Sequence, residues 1–123
     1  MNAQFIILYV DSPTASAAFY SKLLGQPPVE ASPTFAMFAL SAGVMLGVWS
    51  RRTVSPLPAN DAHPGSSEVA FTVDSIEAVE KTHAEWKAKG LPIALAPTKL
   101  DFGYSFVALD PDGHRLRVFA PGA

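Results

Sequence analysis

The chain has no cysteine, which excludes disulfides, thiolate nucleophiles, thiolate zinc sites and cysteine-ligated iron–sulfur clusters in one step. Charge is also sparse: 16% of residues are Asp, Glu, Lys or Arg, the formal net charge is −2, and the positive residues are scattered apart from Arg51-Arg52 and Arg115/Arg117. Binding nucleic acid requires a basic face that displaces counterions, and none is present. Nor is there a long apolar run. The run that begins at Phe5 ends by Asp11, with no basic n-region before it and no small-residue cleavage site after it, so neither a signal peptide nor a membrane span is read. The expectation is a cytoplasmic protein whose partners are small molecules or proteins, not nucleic acid or membrane. With 123 residues, 49% of them hydrophobic, the chain is long enough for one compact domain that buries roughly two thirds of the surface of its unfolded form.

An internal repeat organises the sequence. Phe5 to Ala15 aligns with Glu68 to Ala78, sharing Val10-Asp11-Ser12 with Val73-Asp74-Ser75 and the alanine that follows. Each copy then runs through a helical segment to a glycine, Gly25 or Gly90. Further on, Ala39-Leu40 through Gly43 to Trp49 parallels Ala108-Leu109 through Gly113 to Phe119. Similarity in one short segment is weak, but the same order of segments twice marks a diverged duplication.

Within each copy the hydrophobic period changes from two to about 3.6 and back. Phe5–Val10 and Glu68–Val73 alternate and read as strands. The first helix takes Asp11 or Ser12 as N-cap, Pro13 near N1, an apolar stripe of Ala15, Phe19 and Leu23, and Gly25 as its stop. The second takes Asp74-Ser75 with Glu77 as a capping box, a stripe of Ile76, Val79, His83 and Trp86, and Gly90 as its stop. Strands are expected over 35–40 and 44–49 around the Ser41-Ala42-Gly43 turn, and over 93–96, 104–109 and 115–119 around the Asp110-Pro111-Asp112-Gly113 turn. A strand near Pro28-Val29-Glu30 is weakened because Pro27 and Pro28 have no N–H to donate. The fold class is therefore α+β, one domain over 1–123 made of two βαβββ modules, about 1–50 and 68–123. A Pro-rich linker joins them over 51–67, carrying Pro56, Pro58, Pro64 and Gly65.

The duplication, the Phe19-Tyr20 pair ahead of Leu23-Leu24-Gly25, and the Asp110–Gly113 hairpin before the last strand together resemble the vicinal oxygen chelate superfamily of glyoxalases, bleomycin resistance proteins and dioxygenases. The likeness covers nearly the whole chain. It implies curled mixed sheets forming a cup, helices on the outer face, and assembly as a homodimer. Metal-dependent members carry ligands at cup-face positions that map here to Phe5, Gly47, Glu68 and Arg117. Phe5 has no lone pair, Gly47 has no side chain and Arg117 is permanently cationic. A lone carboxylate does not hold a catalytic metal, which takes three or more protein ligands. The histidines do not replace them, since His63 lies in the linker, His83 on a helix and His114 at the hairpin. No metal and no other cofactor is expected.

Residues two apart share a strand face, which assigns the cup lining. One face carries Phe5, Ile7 and Tyr9; Met45, Gly47 and Trp49; Glu68, Ala70 and Thr72; Arg115, Arg117 and Phe119. The other is uniformly apolar and suits burial under the helices. Large aromatic rings with a few placed polar groups describe a site for a flat, partly polar organic molecule. In that site Trp49, Phe5 and Tyr9 stack on the ligand, Met45 adapts to its edge and Gly47 leaves room. The competing reading of these rings is that they pack the cup shut or form a dimer contact. Glu68 and Arg117 are expected to neutralise one another, with Arg117 or Arg115 also donating to a ligand oxygen. By the resemblance to antibiotic-binding members, the stretch before the last hairpin borders the pocket, which adds Phe102 and Tyr104. Phe38 is added from the first half, with Phe35 in the same relation. Trp86 belongs to the helix core.

The pattern is most similar to the metal-free resistance proteins of the superfamily, phenazine- or bleomycin-binding, on Val48-Trp49-Ser50, Glu68 and the run from Asp110 to Val118. The implied function is sequestration of a flat aromatic antibiotic or toxic metabolite without turnover, and no catalytic residue is assigned. The alternatives are a metal-dependent lyase, isomerase or dioxygenase, a metal-free enzyme using Glu68 as general base, and a dimeric interaction module with an empty cup. A general base must be free to take a proton, which pairing with Arg117 opposes. The linker over 51–67 is a candidate lid.

Overall fold

The computed structural model describes residues 5–58, 67–101 and 103–122. The chain divides into two compact units, Met1–Pro64 and Gly65–Ala123, with the boundary inside the Pro-rich linker. The first unit runs β1 (Phe5–Val10), α1 (Pro13–Leu24), β2 (Glu30–Ala31), β3 (Phe35–Ala39), a 3-10 turn over Ser41–Gly43 and β4 (Met45–Ser50). The second runs β5 (Glu68–Thr72), α2 (Ile76–Ala88), β6 (Ile93–Leu100), β7 (Gly103–Leu109) and β8 (Arg115–Pro121). Each is a βαβββ module, as the repeat predicts. The sheets have the orders β1-β4-β3-β2 and β5-β8-β7-β6. In both, the first and last strands of the module pair in parallel and the remaining pairs are antiparallel. The prolines at 27 and 28 leave β2 only two residues long.

In the first unit the helix-covered face holds Leu8, Val10, Ala36, Phe38, Leu46 and Val48, all buried. Helix α1 starts on Ser12, whose hydroxyl accepts from the Ala15 N–H at 3.1 Å, and ends at Gly25 with φ of 70°, a left-handed residue that costs glycine little. Its buried residues are Pro13, Ser16 and Tyr20, not the expected Ala15, Phe19 and Leu23. Small residues fill most of this helix, so the apolar stripe is degenerate, and its largest ring sets the rotation: Tyr20 is fully buried and packs 6.3 Å from Phe38.

In the second unit the corresponding core is Val69, Val79, Trp86, Phe106, Leu116 and Val118. Ser75 caps α2 through the Ala78 N–H at 3.1 Å. Because Ala78 holds the third helical position, Glu77 sits one residue too early for a capping box but still places its charge in the favourable first turn. Val79 and Trp86 are buried as expected, His83 lies edge-on to Phe106 at 5.2 Å, and Ile76 is exposed. Trp86 packs edge-to-face on Phe71 and Phe106 at 6.0 and 5.5 Å. At the last hairpin the Asp110 carboxylate accepts from the Asp112 and His114 N–H groups at 2.9 and 2.8 Å, which fixes the turn that feeds β8.

The linker begins tethered. Arg51 donates its N–H to the Val10 carbonyl at 2.9 Å, Arg52 bonds both the backbone oxygen and the carboxylate of Asp11, and Val54 is buried. His63 and the stretch of the lid candidate over 59–66 lie outside the described residues.

Candidate functional site

Each sheet has a second face that its own helix does not cover, and strand register decides what stands on it. In the first unit Phe5, Ile7 and Tyr9 of β1 lie opposite Met45, Gly47 and Trp49 of β4. Trp49 and Gly47 in turn lie opposite Phe35 and Met37 of β3. Phe5 is 53% and Tyr9 41% exposed, while Phe35 and Trp49 are half-buried and meet edge-to-face at 5.8 Å. Glu30, on the edge strand β2 opposite Met37, is the one ionisable carboxylate on this face among the described residues. An aromatic, nearly uncharged surface is thus held open to solvent by a fully packed sheet behind it.

Gly47 does not leave the expected room. A Cβ there would stand 2.8 Å from Ile7 Cδ1 and 3.1 Å from the Phe35 ring. The glycine is instead what lets those two side chains close over the middle of the sheet. Nor does Phe38 stand on the open face. It alternates with Phe35 and Met37 and so falls on the helix-covered face, fully buried against Tyr20. Phe35, its neighbour in the same strand, is the aromatic that reaches the open face. Met37 is on that face as well, and neither residue's facing is legible until the β3 register is known.

In the second unit the open face carries Glu68, Ala70 and Thr72 of β5, opposite Arg115, Arg117 and Phe119 of β8. Ser105, Val107 and Leu109 of β7 stand on the same face, opposite Phe119, Arg117 and Arg115, with Thr98 of β6 opposite Ser105, and here Ser105 and Val107 are buried, so this face is open only in part. Glu68 and Arg117 form the expected pair: Nε donates to Oε2 at 2.8 Å and Nη2 to Oε1 at 3.3 Å, a two-pronged contact that engages both carboxylate oxygens. Arg117 Nη1 also reaches the Ser105 hydroxyl at 3.2 Å, a fully buried partner that the sequence reading missed. Arg115 is exposed on the same face. Tyr104 alternates with Phe106 and Ala108, so its register places it on the helix-covered side and not beside Arg117. Phe102 lies outside the described residues.

This donor set does not fit a divalent ion. Both Glu68 oxygens are occupied by a guanidinium, and no three His, Cys, Asp or Glu side chains converge among the described residues. His114 is buried in the hairpin and the half-buried His83 lies edge-on to Phe106 on the helix-covered side, which places both away from the open face.

Comparison with known proteins agrees with this architecture. The solved structure of protein ATC0852 from Agrobacterium tumefaciens is 48% identical, with a TM-score of 0.85 over 100% of this chain and 99% of that one. The phenazine antibiotic resistance protein EhpR of Enterobacter agglomerans is 28% identical over 117 residues, which are 91% of this chain and 86% of the relative. A lactoylglutathione lyase from Agrobacterium tumefaciens is 22% identical, with a TM-score of 0.79 over 97% of this chain and 92% of that one, a likeness of fold alone. A model of the Glyoxalase/Bleomycin resistance protein/Dioxygenase superfamily matches residues 3–118. With the duplicated βαβββ module and a family match over nearly its full length, the chain belongs to the glyoxalase/bleomycin resistance protein/dioxygenase superfamily.

Proposed function

We propose that the protein is a metal-free binder that sequesters a flat aromatic antibiotic or toxic metabolite and does not transform it. The observation that carries this reading is the open face of the first sheet, where Phe5, Tyr9, Phe35 and Trp49 present rings to solvent around Met37 and Met45. Exposed apolar surface gains about 25 cal/mol per Å² when covered, so a ligand that hides ~200 Å² of it gains on the order of 5 kcal/mol before association costs. Aromatic rings favour a planar π-system as that cover, and thioethers adapt to its outline. The likeness to a phenazine resistance protein supports the same ligand class. Catalysis by Glu68 is disfavoured because both its oxygens accept from Arg117. The reading includes a cytoplasmic homodimer, to which the exposed Ile6, on the other face of β1 from Phe5 and Tyr9, is suited.

The test is titration of phenazine into the chelator-free protein with tryptophan fluorescence as readout, in a Trp86→Phe background that leaves Trp49 as reporter. Saturable quenching at a fixed stoichiometry, lost in Trp49→Ala by calorimetry and accompanied by no stoichiometric metal in elemental analysis, is the expected result. A divalent ion near one equivalent per chain, or the absence of saturable binding, would overturn it. Sedimentation equilibrium reads the dimer directly.

A further inference from the structure

The Arg51-Arg52 pair lies in the same unit as the aromatic face, at the end of its sheet. Tyr9, Trp49 and Phe35 stand in register on β1, β4 and β3, three rings in one row across that sheet. The last pair of the β1–β4 ladder, Val10 and Ser50, is buried on the helix-covered side. Asp11 and Arg51 follow that pair, return to the side of Tyr9 and Trp49, and are exposed. The Arg51 N–H, donated to the Val10 carbonyl at 2.9 Å, extends the ladder by one bond. Backbone pairing thus holds the Arg51 Cα two residues, ~7 Å, from that of Trp49.

The charges at this corner do not balance, since two guanidiniums meet one carboxylate. Arg52 takes Asp11, with Nη1 donating to its carbonyl at 2.9 Å and Nη2 to its carboxylate Oδ1. Arg51 Nη1 stays 4.0 Å from the same Oδ1, beyond hydrogen-bond length. Its side chain is 41% exposed and has no other ion pair and no hydrogen bond among the described residues. One positive charge is therefore left over beside the ring row. Glu30, the carboxylate on the face itself, stands two strands from β4, ~10 Å across the sheet and about a Debye length at physiological salt.

We infer that Arg51 selects the ligand's charge, and that the compound laid on the Tyr9–Trp49–Phe35 row is an aromatic carboxylate with its acid group at the Arg51 end. The inference rests on the aromatic-binding reading above. A guanidinium presents a planar fork matched to two carboxylate oxygens and stays protonated at any working pH. Arg52 does not share the role, because both its Nη donors are spent on Asp11.

The experiment compares phenazine-1-carboxylate with phenazine-1-carboxamide, which share a ring system and differ in charge, by isothermal titration of the full chain and of Arg51→Gln and Arg51→Lys. A hydrogen-bonded charge partner predicts a preference for the carboxylate of roughly tenfold in the unsubstituted protein. Arg51→Gln brings the two affinities to within about threefold of each other, and Arg51→Lys keeps part of the preference because it retains charge without the fork. Equal binding of the two compounds by the unsubstituted protein, or an undiminished preference in Arg51→Gln, overturns this inference and leaves aromatic binding standing. Binding of neither compound removes the aromatic-binding reading and this inference with it.

Discussion

Phe35 and Phe38 are three residues apart on β3 and face opposite ways, so truncating each gives opposite phenotypes. Phe38 is fully buried, packs on Tyr20 at 6.3 Å and sits opposite Leu46 in the sheet. Phe-to-Ala in such a site costs ~3–5 kcal/mol, the transfer term plus the cavity left behind. A chain of 123 residues has a total stability of roughly 6–18 kcal/mol, so Phe38→Ala removes a large share of it. With a urea m-value of ~2 kcal/mol per molar, a loss of ~4 kcal/mol moves the unfolding midpoint down by ~2 M. Phe35 is half-buried, and its edge-to-face contact with Trp49 at 5.8 Å is worth ~0.5–1.5 kcal/mol beyond its area. Phe35→Ala therefore lowers the midpoint by less than ~1 M. Ligand affinity runs the other way. Phenazine binding measured well below the midpoint weakens by roughly tenfold in Phe35→Ala, for the loss of about 1.4 kcal/mol of contact. In Phe38→Ala it changes by less than about threefold, the ring being on the far side of the sheet. Equal destabilisation by the two changes would refute the assignment of faces, and lost affinity in Phe38→Ala alone would reverse it.

Gly103 has φ of 150°, and a Cβ there would stand 2.2 Å from the Ala120 carbonyl oxygen; backbone cannot step aside as a side-chain tip can. Gly103→Ala should thus cost more than ~3 kcal/mol in urea unfolding, against ~1 kcal/mol for Gly25→Ala, where nothing stands within 4 Å. A double-mutant cycle on Glu68→Gln and Arg117→Met should return a coupling of ~1 kcal/mol or less at 0.15 M salt, because the Glu68 side chain is 36% exposed and solvent screens the pair. The single change Glu68→Gln should cost more than that coupling, since it strips the mostly buried Arg117 of its counter-charge. Ser12→Ala and Ser75→Ala each remove a hydroxyl that accepts a helical N–H at 3.1 Å, and each should lower stability by ~1 kcal/mol in the same assay.

The fold was legible because the signals that encode it are local and occur twice. Ser12 and Ser75 start the helices, Gly25 and Gly90 stop them, and alternation in Phe5–Val10 and Glu68–Thr72 sorts the strands, all within windows of ten residues. What failed had no local signal. The rotation of α1 is decided by where Tyr20 finds Phe38, a contact across eighteen positions, and alanines on every side of that helix give the sequence no means of choosing.

The site divides along the same line. Alternation from a secure strand start put Phe5, Tyr9, Met45, Trp49, Glu68, Arg115 and Arg117 on the open faces, because one parity choice per strand settles all its members. Phe38 and Tyr104 were misplaced because β3 and β7 begin after turns whose lengths the sequence does not fix, and a one-residue error there exchanges the faces. Gly47 shows a deeper limit. An absent side chain looks like space in a sequence, yet whether space exists depends on neighbours from two other strands, and Ile7 and Phe35 fill it. The two arginines of β8 differ for a reason of the same kind: both occupy equivalent parity positions, and among the described residues it is the reach of Arg117 to Glu68 and Ser105 that sets them apart.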